Sequence, residues 1–300
     1  MNINTKKVIF IVGATAVGKT DLSINLAEEL KTEIISCDSR QFYKELLIGA
    51  APPSKEQLST IKHHFIHNLS ITEEYNAGLF EEDAIKIITE IHKNKETIIA
   101  VGGSGLYIDA ICKGFDKIPK PPIEIRKKTN NLFKEKGIKW LQKEVKKVDP
   151  IFYKDCDQNN TQRLIRALEV FYFTNNPISS FKNNKPKKRP FKIIKIGLHL
   201  QRDLLYKKIN TRVEKMINMG LAKEAKNLLK HQNCNALNTV GYKEFFDFYN
   251  KKITFEECIE NIKKNTRRFA KRQMTWFRKD NTIKWFKPEQ IKEIKATIEL

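Results

Sequence analysis

The chain has 300 residues, of which 40% are hydrophobic and 30% charged, and its formal net charge at pH 7 is +21. This length provides enough core for one large domain or two modest ones, and no apolar run approaches the length that spans a membrane. The five cysteines are scattered, with no Cys-x-x-Cys pair. Their pattern argues against a disulfide framework and a zinc site, and it favours a reducing cytoplasm.

The excess of 56 basic over 35 acidic residues predicts a polyanionic partner. A compositional bias towards lysine is the alternative, because lysine outnumbers arginine 45 to 11. The placement of arginine is therefore more informative. Four of the eleven lie in one short stretch, at Arg267, Arg268, Arg272 and Arg278. The planar guanidinium of arginine is well suited to binding phosphate.

The first predicted elements are a buried parallel strand at Val8–Val12 and a helix on which Leu22, Leu26 and Leu30 share one face. The loop between them matches the phosphate-loop pattern G-x-x-x-x-G-K-[ST]. Its residues are Gly13, Ala14, Thr15, Ala16, Val17, Gly18, Lys19 and Thr20.

Each part of this loop has a physical role in binding phosphate. The glycines let successive backbone N–H groups point inward at phosphate oxygens, and the helix N-terminus adds partial positive charge. Lys19 supplies a full charge, and the Thr20 hydroxyl can hold Mg²⁺. The loop therefore predicts binding of a diphosphate or triphosphate, without identifying the molecule that carries it.

A second short strand is predicted at residues 33–37, followed at once by Asp38. Ligands of open α/β sheets gather at the carboxyl ends of the strands, so Asp38 is expected near the phosphate loop. The alternative is that Asp38 or Ser39 caps a helix.

Further along the chain, residues 49–60 resemble a loop and Phe65-Ile66 a short strand. The preceding pair His63-His64 has no carboxylate or cysteine partners that would complete a metal site, so a metal-binding role is not favoured. Residues 78–94 are predicted to form an amphipathic helix. Thr97–Val101 is a third buried strand, and the glycines that follow it permit either close approach of a ligand or a tight turn.

The composition changes at residues 117–122, which contain three prolines. From there to about Phe173 the pattern is helical, and a basic, proline-containing loop follows. The sheet pattern returns at Phe191–Leu200. We therefore predict an α/β protein with a P-loop NTPase-like three-layer core and a parallel sheet, formed by residues 1–118 and 191–300. Residues 119–190 are predicted to form an all-α helical insertion domain.

The last part of the chain is predicted to be mainly helical. Residues 263–279 carry eight basic residues and no acid, and helical spacing places several of them on one face. Phe269, Trp276 and Phe277 give this helix apolar surface to bury, and a spare aromatic ring could stack.

In this order and spacing, the motifs resemble the bacterial tRNA isopentenyltransferase family, the tRNA dimethylallyltransferases. The resemblance runs from about Lys7 to Trp285. The motifs that carry it are GATAVGKT, DSRQFY, the histidine pair before Tyr75, VGGSGLY, QRLIRALEV, the Arg212–Glu224 stretch, VGYKE and RRFAKRQMTWFR.

The resemblance implies transfer of a dimethylallyl group from dimethylallyl diphosphate to N6 of the adenosine immediately 3′ of the anticodon. The tRNAs would be those that read codons beginning with U, and pyrophosphate would be released. It also implies Mg²⁺ as cofactor, the tRNA anticodon stem-loop as partner, and a phosphate loop that holds the prenyl diphosphate rather than ATP. We expect a cytoplasmic monomer that does not associate with membranes.

The resemblance also implies residue roles. Asp38 would accept the N6 proton, Thr20 would hold Mg²⁺, and Arg212 would be a second cation on the diphosphate, although Arg212 could also be a surface residue of a helix. The phosphate-loop residues Gly13 to Thr20 would bind the diphosphate. The tRNA-binding residues would be Asp38, Ser39, Arg40, Gln41, Ser104, Arg126, Gln162, Arg163, Leu164, Ile165, Arg166, Lys271, Arg272, Gln273 and Arg278.

Two other functions remain open at this point. A P-loop kinase for a nucleotide or small molecule explains the phosphate loop and Asp38, but not the basic C-terminal stretch. A non-catalytic RNA-binding ATPase or switch predicts RNA affinity that depends on nucleotide, and no prenylated product. Both are weakened because the strand at Thr97–Val101 ends in Gly-Gly rather than in the carboxylate that holds Mg²⁺ in such proteins.

Overall fold

The computed structural model describes residues 6–183 and 185–299, and it divides into two compact units. The first unit contains the described residues up to Cys112 and from Lys188 onward, and the second runs from Lys113 to Lys187. The sequence suggested boundaries a few residues later, at 118 and 190. Residues 1–5, 184 and 300 of the predicted domains lie outside the described residues.

The first unit is built on a parallel sheet. Its strands are β1 (Lys7–Gly13), β2 (Ile34–Ser36), β3 (His63–His64), β4 (Thr97–Gly102), β5 (Lys192–Leu198) and β6 (Lys284–Phe286). Their order in the sheet is β3-β2-β4-β1-β5-β6, and every pair is parallel. The apolar run of β1 is therefore central, and Val8 to Val12 are fully buried. The mixed α/β class and parallel sheet are confirmed.

In the chain, each strand of this unit is followed by one or more helices. They are α1 (Lys19–Glu29), α2 (Lys55–Thr60), α3 (Ala77–Ile91), α4 (Gly105–Cys112), α8 (Arg202–Asn218), α9 (Leu221–Asn227), α10 (Tyr242–Tyr249), α11 (Phe255–Phe277) and α12 (Ile291–Ile298). Apolar residues of α1, α8, α11 and α12 pack in one cluster with β1 and β5. Burial of this apolar area is the main favourable term in folding.

Three local expectations differ from the structure. The short strand at residues 65–66 lies instead at His63–His64, because Phe65 has φ +65° and leaves the extended region. Its ring packs on Phe42 and Phe80. Residues 55–60, expected in a loop, form α2, which begins with a capping box at Ser54 and Gln57. The final elements β6 and α12 were not predicted.

The second unit is helical, as expected. Its helices are α5 (Ile123–Val148), α6 (Pro150–Asp155) and α7 (Thr161–Thr174). Their buried apolar residues, among them Leu141, Leu164 and Leu168, form a separate core. Gly137 has φ +72° and kinks α5. Among the residues that the structure describes, no helix is both long and apolar enough to cross a membrane.

An ion pair between β5 and the residues after α11 gives a pH-dependent stability. Lys195 Nζ lies 2.6 Å from Asp280 Oδ2. Although burial opposes ionisation, hydrogen bonds from Lys195 and Thr282 lower the pKa of Asp280 from 3.8 to about 2. Because the folded-state pKa is below the unfolded one, the stabilisation is present above about pH 4 and is lost as the pH falls towards 2.

We therefore expect Asp280→Asn to lower the free energy of unfolding by about 2 kcal/mol at pH 7. The difference from wild type should shrink in urea titrations as the pH falls from 5 to 3. Asp247→Asn, which breaks an exposed pair with Lys252, is the control and should change stability by less than about 1 kcal/mol. If Asp280→Asn lowers the free energy of unfolding by the same amount at pH 5 and at pH 3, the lowered pKa of Asp280 is contradicted.

Candidate active site

The phosphate loop lies between β1 and α1 and is shaped by two glycines with positive φ. Gly13 has φ +145°, and a Cβ atom there would lie 2.5 Å from the carbonyl oxygen of Leu198. Gly18, with φ +105°, is the N-cap of α1, and no side chain of the described residues caps the helix there. The first N–H groups of α1 are thus left available to an anion, as the sequence predicts.

Lys19 is folded over the loop and is half-buried. Its Nζ donates to the carbonyl oxygens of Gly13 at 3.1 Å and Ala14 at 2.7 Å. Burial, together with the nearby charge of Arg212, lowers the pKa of Lys19 from 10.5 to about 7. Asp38 partly offsets this shift. The negative charge of a bound phosphate would favour the protonated, positively charged form of Lys19.

Not every N–H group of the loop is free for phosphate. The Thr15 N–H donates to Oε1 of Gln273 at 2.9 Å, and the Gln273 amide donates in turn to the Gly103 carbonyl at 2.9 Å. The Thr15 hydroxyl accepts from the Arg212 guanidinium at 3.0 Å. The simple expectation that successive loop N–H groups all face the ligand therefore needs correction at Thr15. Ala14 and Val17 bury their side chains in the core.

The phosphate loop opens into a cavity of about 380 Å³. Thr15 to Thr20, Asp38 and Arg212 form its polar side. Its apolar side is formed by Leu47, Ile48, Met216, Met219 and Phe269. Leu47 and Met219 are 58% and 67% exposed, which leaves both side chains available to a ligand.

A second cavity of about 450 Å³ adjoins the first, and both are lined by Thr15, Asp38, Ala50, Ala51, Arg212, Met216 and Phe269. The second cavity also contains Ser39, Arg40, Ser104 and Arg272. The Ser39 N–H donates to the Ser104 hydroxyl at 3.1 Å, which joins the ends of β2 and β4. Residues that are far apart in the sequence thus converge at the carboxyl edge of the sheet.

Asp38 lies where the two cavities meet. Its Oδ1 accepts the N–H of Arg40 at 2.9 Å, so the carboxylate closes its own turn rather than capping a helix. It lines both cavities and is half-buried. This position lets a carboxylate contact groups bound on either side.

Arg40 and Gln41 are largely occupied within the chain. The Arg40 guanidinium donates to the carbonyl oxygens of Asn235 at 2.9 Å and Ala236 at 3.0 Å. Gln41 accepts from Ser36 at 2.9 Å and donates to the Ala51 carbonyl at 3.0 Å. Gln41 lines the first cavity rather than the second, so these contacts indicate a scaffolding role.

The basic residues of α11 and its C-cap, Arg278, divide between two surroundings. Arg272 is exposed, with its guanidinium 5.7 Å from the centre of the Phe269 ring. Lys271 and Arg278 are exposed and line a separate cavity beside Tyr206. Gln273, predicted to bind tRNA, is buried, and both ends of its amide are bonded to backbone.

Within the second unit, α7 presents only part of the predicted RNA-binding motif. Gln162 and Arg163 are exposed and Ile165 is half-buried. Leu164 is fully buried in the core of this unit, so the prediction that its side chain binds tRNA is corrected.

Two arginines of the same unit share a carboxylate. Arg126 and Arg166 each lie 3.6 Å from the buried Glu169, and Arg166 also donates to the Pro119 carbonyl at 2.8 Å. Glu169 therefore holds both guanidinium groups in place. Arg126 stays largely exposed and Arg166 partly so.

Reasoning on the sequence missed two residues that shape the cavities. Glu224 and Tyr242 hold the Leu47–Ala51 segment, which lines both cavities. Both lie within quoted motifs, but nothing in their spacing connects them to residues 47–51.

The site provides few protein ligands for a metal. Among residues 6–183 and 185–299, no group of three or more His, Cys, Asp or Glu side chains is arranged to bind a metal ion. Mg²⁺ in phosphate sites is bound by one or two protein oxygens plus substrate phosphates and water. The Thr20 hydroxyl, with Asp21 and Asp38 lining the same cavity, fits that pattern.

Comparisons with known proteins agree along nearly the whole chain. The family model described as IPP transferase matches residues 41–280. The tRNA dimethylallyltransferase of Christiangramia forsetii is 52% identical over 278 residues, covering 93% of this chain and 92% of that protein. The tRNA dimethylallyltransferase of Flavobacterium johnsoniae is 47% identical over 287 residues, covering 94% and 93%.

Solved structures give the same result. The tRNA isopentenylpyrophosphate transferase from Bacillus halodurans is 35% identical with a TM-score of 0.73, and the match covers 98% of this chain and 96% of that one. A eukaryotic dimethylallyltransferase acting on tRNA is 26% identical with a TM-score of 0.79, covering 98% and 77%.

Proposed function

Because the chain belongs to the IPP transferase family, we propose that it transfers a dimethylallyl group from dimethylallyl diphosphate to tRNA. The acceptor is N6 of the adenosine immediately 3′ of the anticodon, in tRNAs that read codons beginning with U. The observation that carries the proposal is the position of Asp38, where a phosphate-binding cavity meets a second cavity.

The first cavity suits a prenyl diphosphate because it combines cations with an apolar wall. Lys19 and Arg212 bind the diphosphate, together with the N–H groups at the start of α1. Met216, Met219 and Leu47 contact the five-carbon chain, and the flexible methionines adapt to its shape.

We propose that Mg²⁺ is bound by the Thr20 hydroxyl. When bound, it neutralises negative charge on the diphosphate. Lys19 and Arg212 stabilise the same developing charge as the allylic C–O bond breaks, which is where fixed positive groups have their largest effect on rate.

Asp38 acts on the acceptor side. The N6 lone pair forms a bond to C1 of the dimethylallyl group while the C1–O bond breaks, and both electrons of that bond leave with pyrophosphate. Asp38 accepts the proton that N6 loses. The target adenine is first drawn out of the stacked loop into the second cavity, at a cost of a few kcal/mol.

The anticodon stem-loop is contacted by exposed basic residues of each unit, namely Arg126, Arg163, Lys271, Arg272 and Arg278. If about four of these neutralise phosphates, tRNA affinity should fall on the order of a hundredfold between 50 and 200 mM salt. Filter binding across a salt series measures this slope. A slope near zero would contradict the proposed footprint.

The whole function is tested by one incubation with matched arms. The protein is incubated with Mg²⁺, dimethylallyl diphosphate and tRNA, with either adenosine or guanosine 3′ of the anticodon. The tRNA is then digested, and its nucleosides are separated and identified by mass spectrometry. We expect prenylated adenosine in the first arm only. A parallel arm with ATP tests the kinase alternative, which predicts ATP consumption and no prenylated nucleoside.

We further propose that the protein acts as a monomer in the cytoplasm. Cys37, Cys156, Cys234 and Cys258 are free thiols, which suits a reducing compartment. Light scattering with and without tRNA tests the oligomeric state. A dimer that persists at nanomolar concentration would contradict the monomer.

A further inference from the structure

The segment Leu47–Ala51, called here the dividing loop, lines both cavities. Leu47 and Ile48 line the first cavity, Gly49 lines the second, and Ala50 and Ala51 line both. The position of this loop therefore determines how wide the first cavity is along its apolar wall.

A single carboxylate holds the dividing loop. Glu224 Oε2 accepts the N–H groups of Leu47 and Ile48, each at 2.9 Å. Glu224 Oε1 accepts the N–H of Gly49 at 3.0 Å and the Tyr242 hydroxyl at 2.6 Å. A carboxylate has about four acceptor positions, so Glu224 is fully used by these four donors.

Tyr242 also packs against the dividing loop. Its side chain is fully buried, and burial together with Glu224 raises the pKa of its phenol, which therefore stays protonated and donates. A Cβ atom on Gly49 would lie 2.5 Å from the phenol oxygen. The backbone of the loop thus packs directly against this ring, and only glycine fits.

We propose that Glu224 and Tyr242 are positioning residues that set the length of the prenyl chain this enzyme accepts, by holding Leu47 and Ile48 at the apolar wall of the first cavity. This inference rests on the proposed function. A short, tightly hydrogen-bonded loop cannot retreat to admit a longer chain, so longer donors are excluded by contact.

The test compares dimethylallyl diphosphate with the ten-carbon geranyl diphosphate as donors. In wild type we expect a strong preference, in kcat/KM, for the five-carbon donor. Glu224→Gln leaves a single amide oxygen to accept from the four donors that converge on the carboxylate. It should reduce the preference for the five-carbon donor at least about tenfold. Tyr242→Phe removes one donor and should reduce it about threefold. In both variants KM for dimethylallyl diphosphate should rise more than kcat falls.

Tyr249→Phe is the matched control. The Tyr249 hydroxyl also joins α10 to α9, donating to the Ala222 carbonyl at 2.8 Å, but it does not touch the dividing loop. We expect this variant to keep the wild-type donor preference. Gly49→Ala, which pushes the loop off Tyr242 without removing a hydrogen-bonding side chain, should lower the preference as Glu224→Gln does.

Hydrogen exchange provides a readout that does not depend on catalysis. The amides of Leu47, Ile48 and Gly49 should exchange slowly in wild type and in Tyr249→Phe, and at least about tenfold faster in Glu224→Gln. Fast exchange in wild type would overturn the inference. So would variants that lose activity equally with both donors, because that is the result of a purely structural role. A wild type that prenylates no tRNA would instead overturn the proposed function.

Discussion

Asp38→Asn should lower single-turnover prenyl transfer by at least about a hundredfold, the usual scale of general-base catalysis. Asparagine keeps an Oδ1 acceptor for the Arg40 N–H, so the turn at the end of β2 is preserved. It has no basic oxygen for the N6 proton, so only the chemical step is affected. Quenched-flow measurement with enzyme in excess over tRNA reports that step.

Donor binding provides the control for this variant. Pyrophosphate should bind Asp38→Asn at least as tightly as wild type, because the substitution removes the repulsion between the Asp38 carboxylate and the anion. Ser39→Ala, beside it in the second cavity, should retain most of the rate. If Asp38→Asn turns over within a few-fold of wild type, Asp38 is not the base.

Lys19→Met should lower kcat/KM for dimethylallyl diphosphate by about a hundredfold to a thousandfold. This is the loss seen when one preorganised donor to a developing anion is removed, about 3 to 4 kcal/mol. Lys207→Met, on an exposed face of α8, is the control and should leave kcat/KM nearly unchanged. Equal losses in the two variants would indicate a general charge effect instead.

The pKa of Lys19 adds a sharper test. In the free protein it is about 7, so at pH 8 most Lys19 side chains are neutral. A bound diphosphate favours the ammonium form, so binding must take up protons above pH 7, and affinity must fall as pH rises. Calorimetry with pyrophosphate in two buffers of different ionisation enthalpy measures the uptake. Lys19→Met should lose most of it.

Several parts of the fold and site could be read from local sequence. The buried runs at Val8–Val12 and Thr97–Val101 are strands because both faces of a central parallel strand are covered. The phosphate loop is defined by contiguous residues, and Asp38 follows from its place after β2. By contrast, β3 shifts by two residues because φ at Phe65 is positive, a property that no spacing reveals.

The sequence by itself determined the class of fold, the phosphate loop and the cationic character of α11, since these depend on runs, periodicity and composition. Only the tertiary structure decided which polar side chains hold the protein together. Gln273 bonds to Thr15, 258 residues away, and Glu224 binds a loop about 175 residues away. Such hydrogen bonds leave no periodic trace, because they form only when folding brings distant polar groups together and each must find a partner once water is removed.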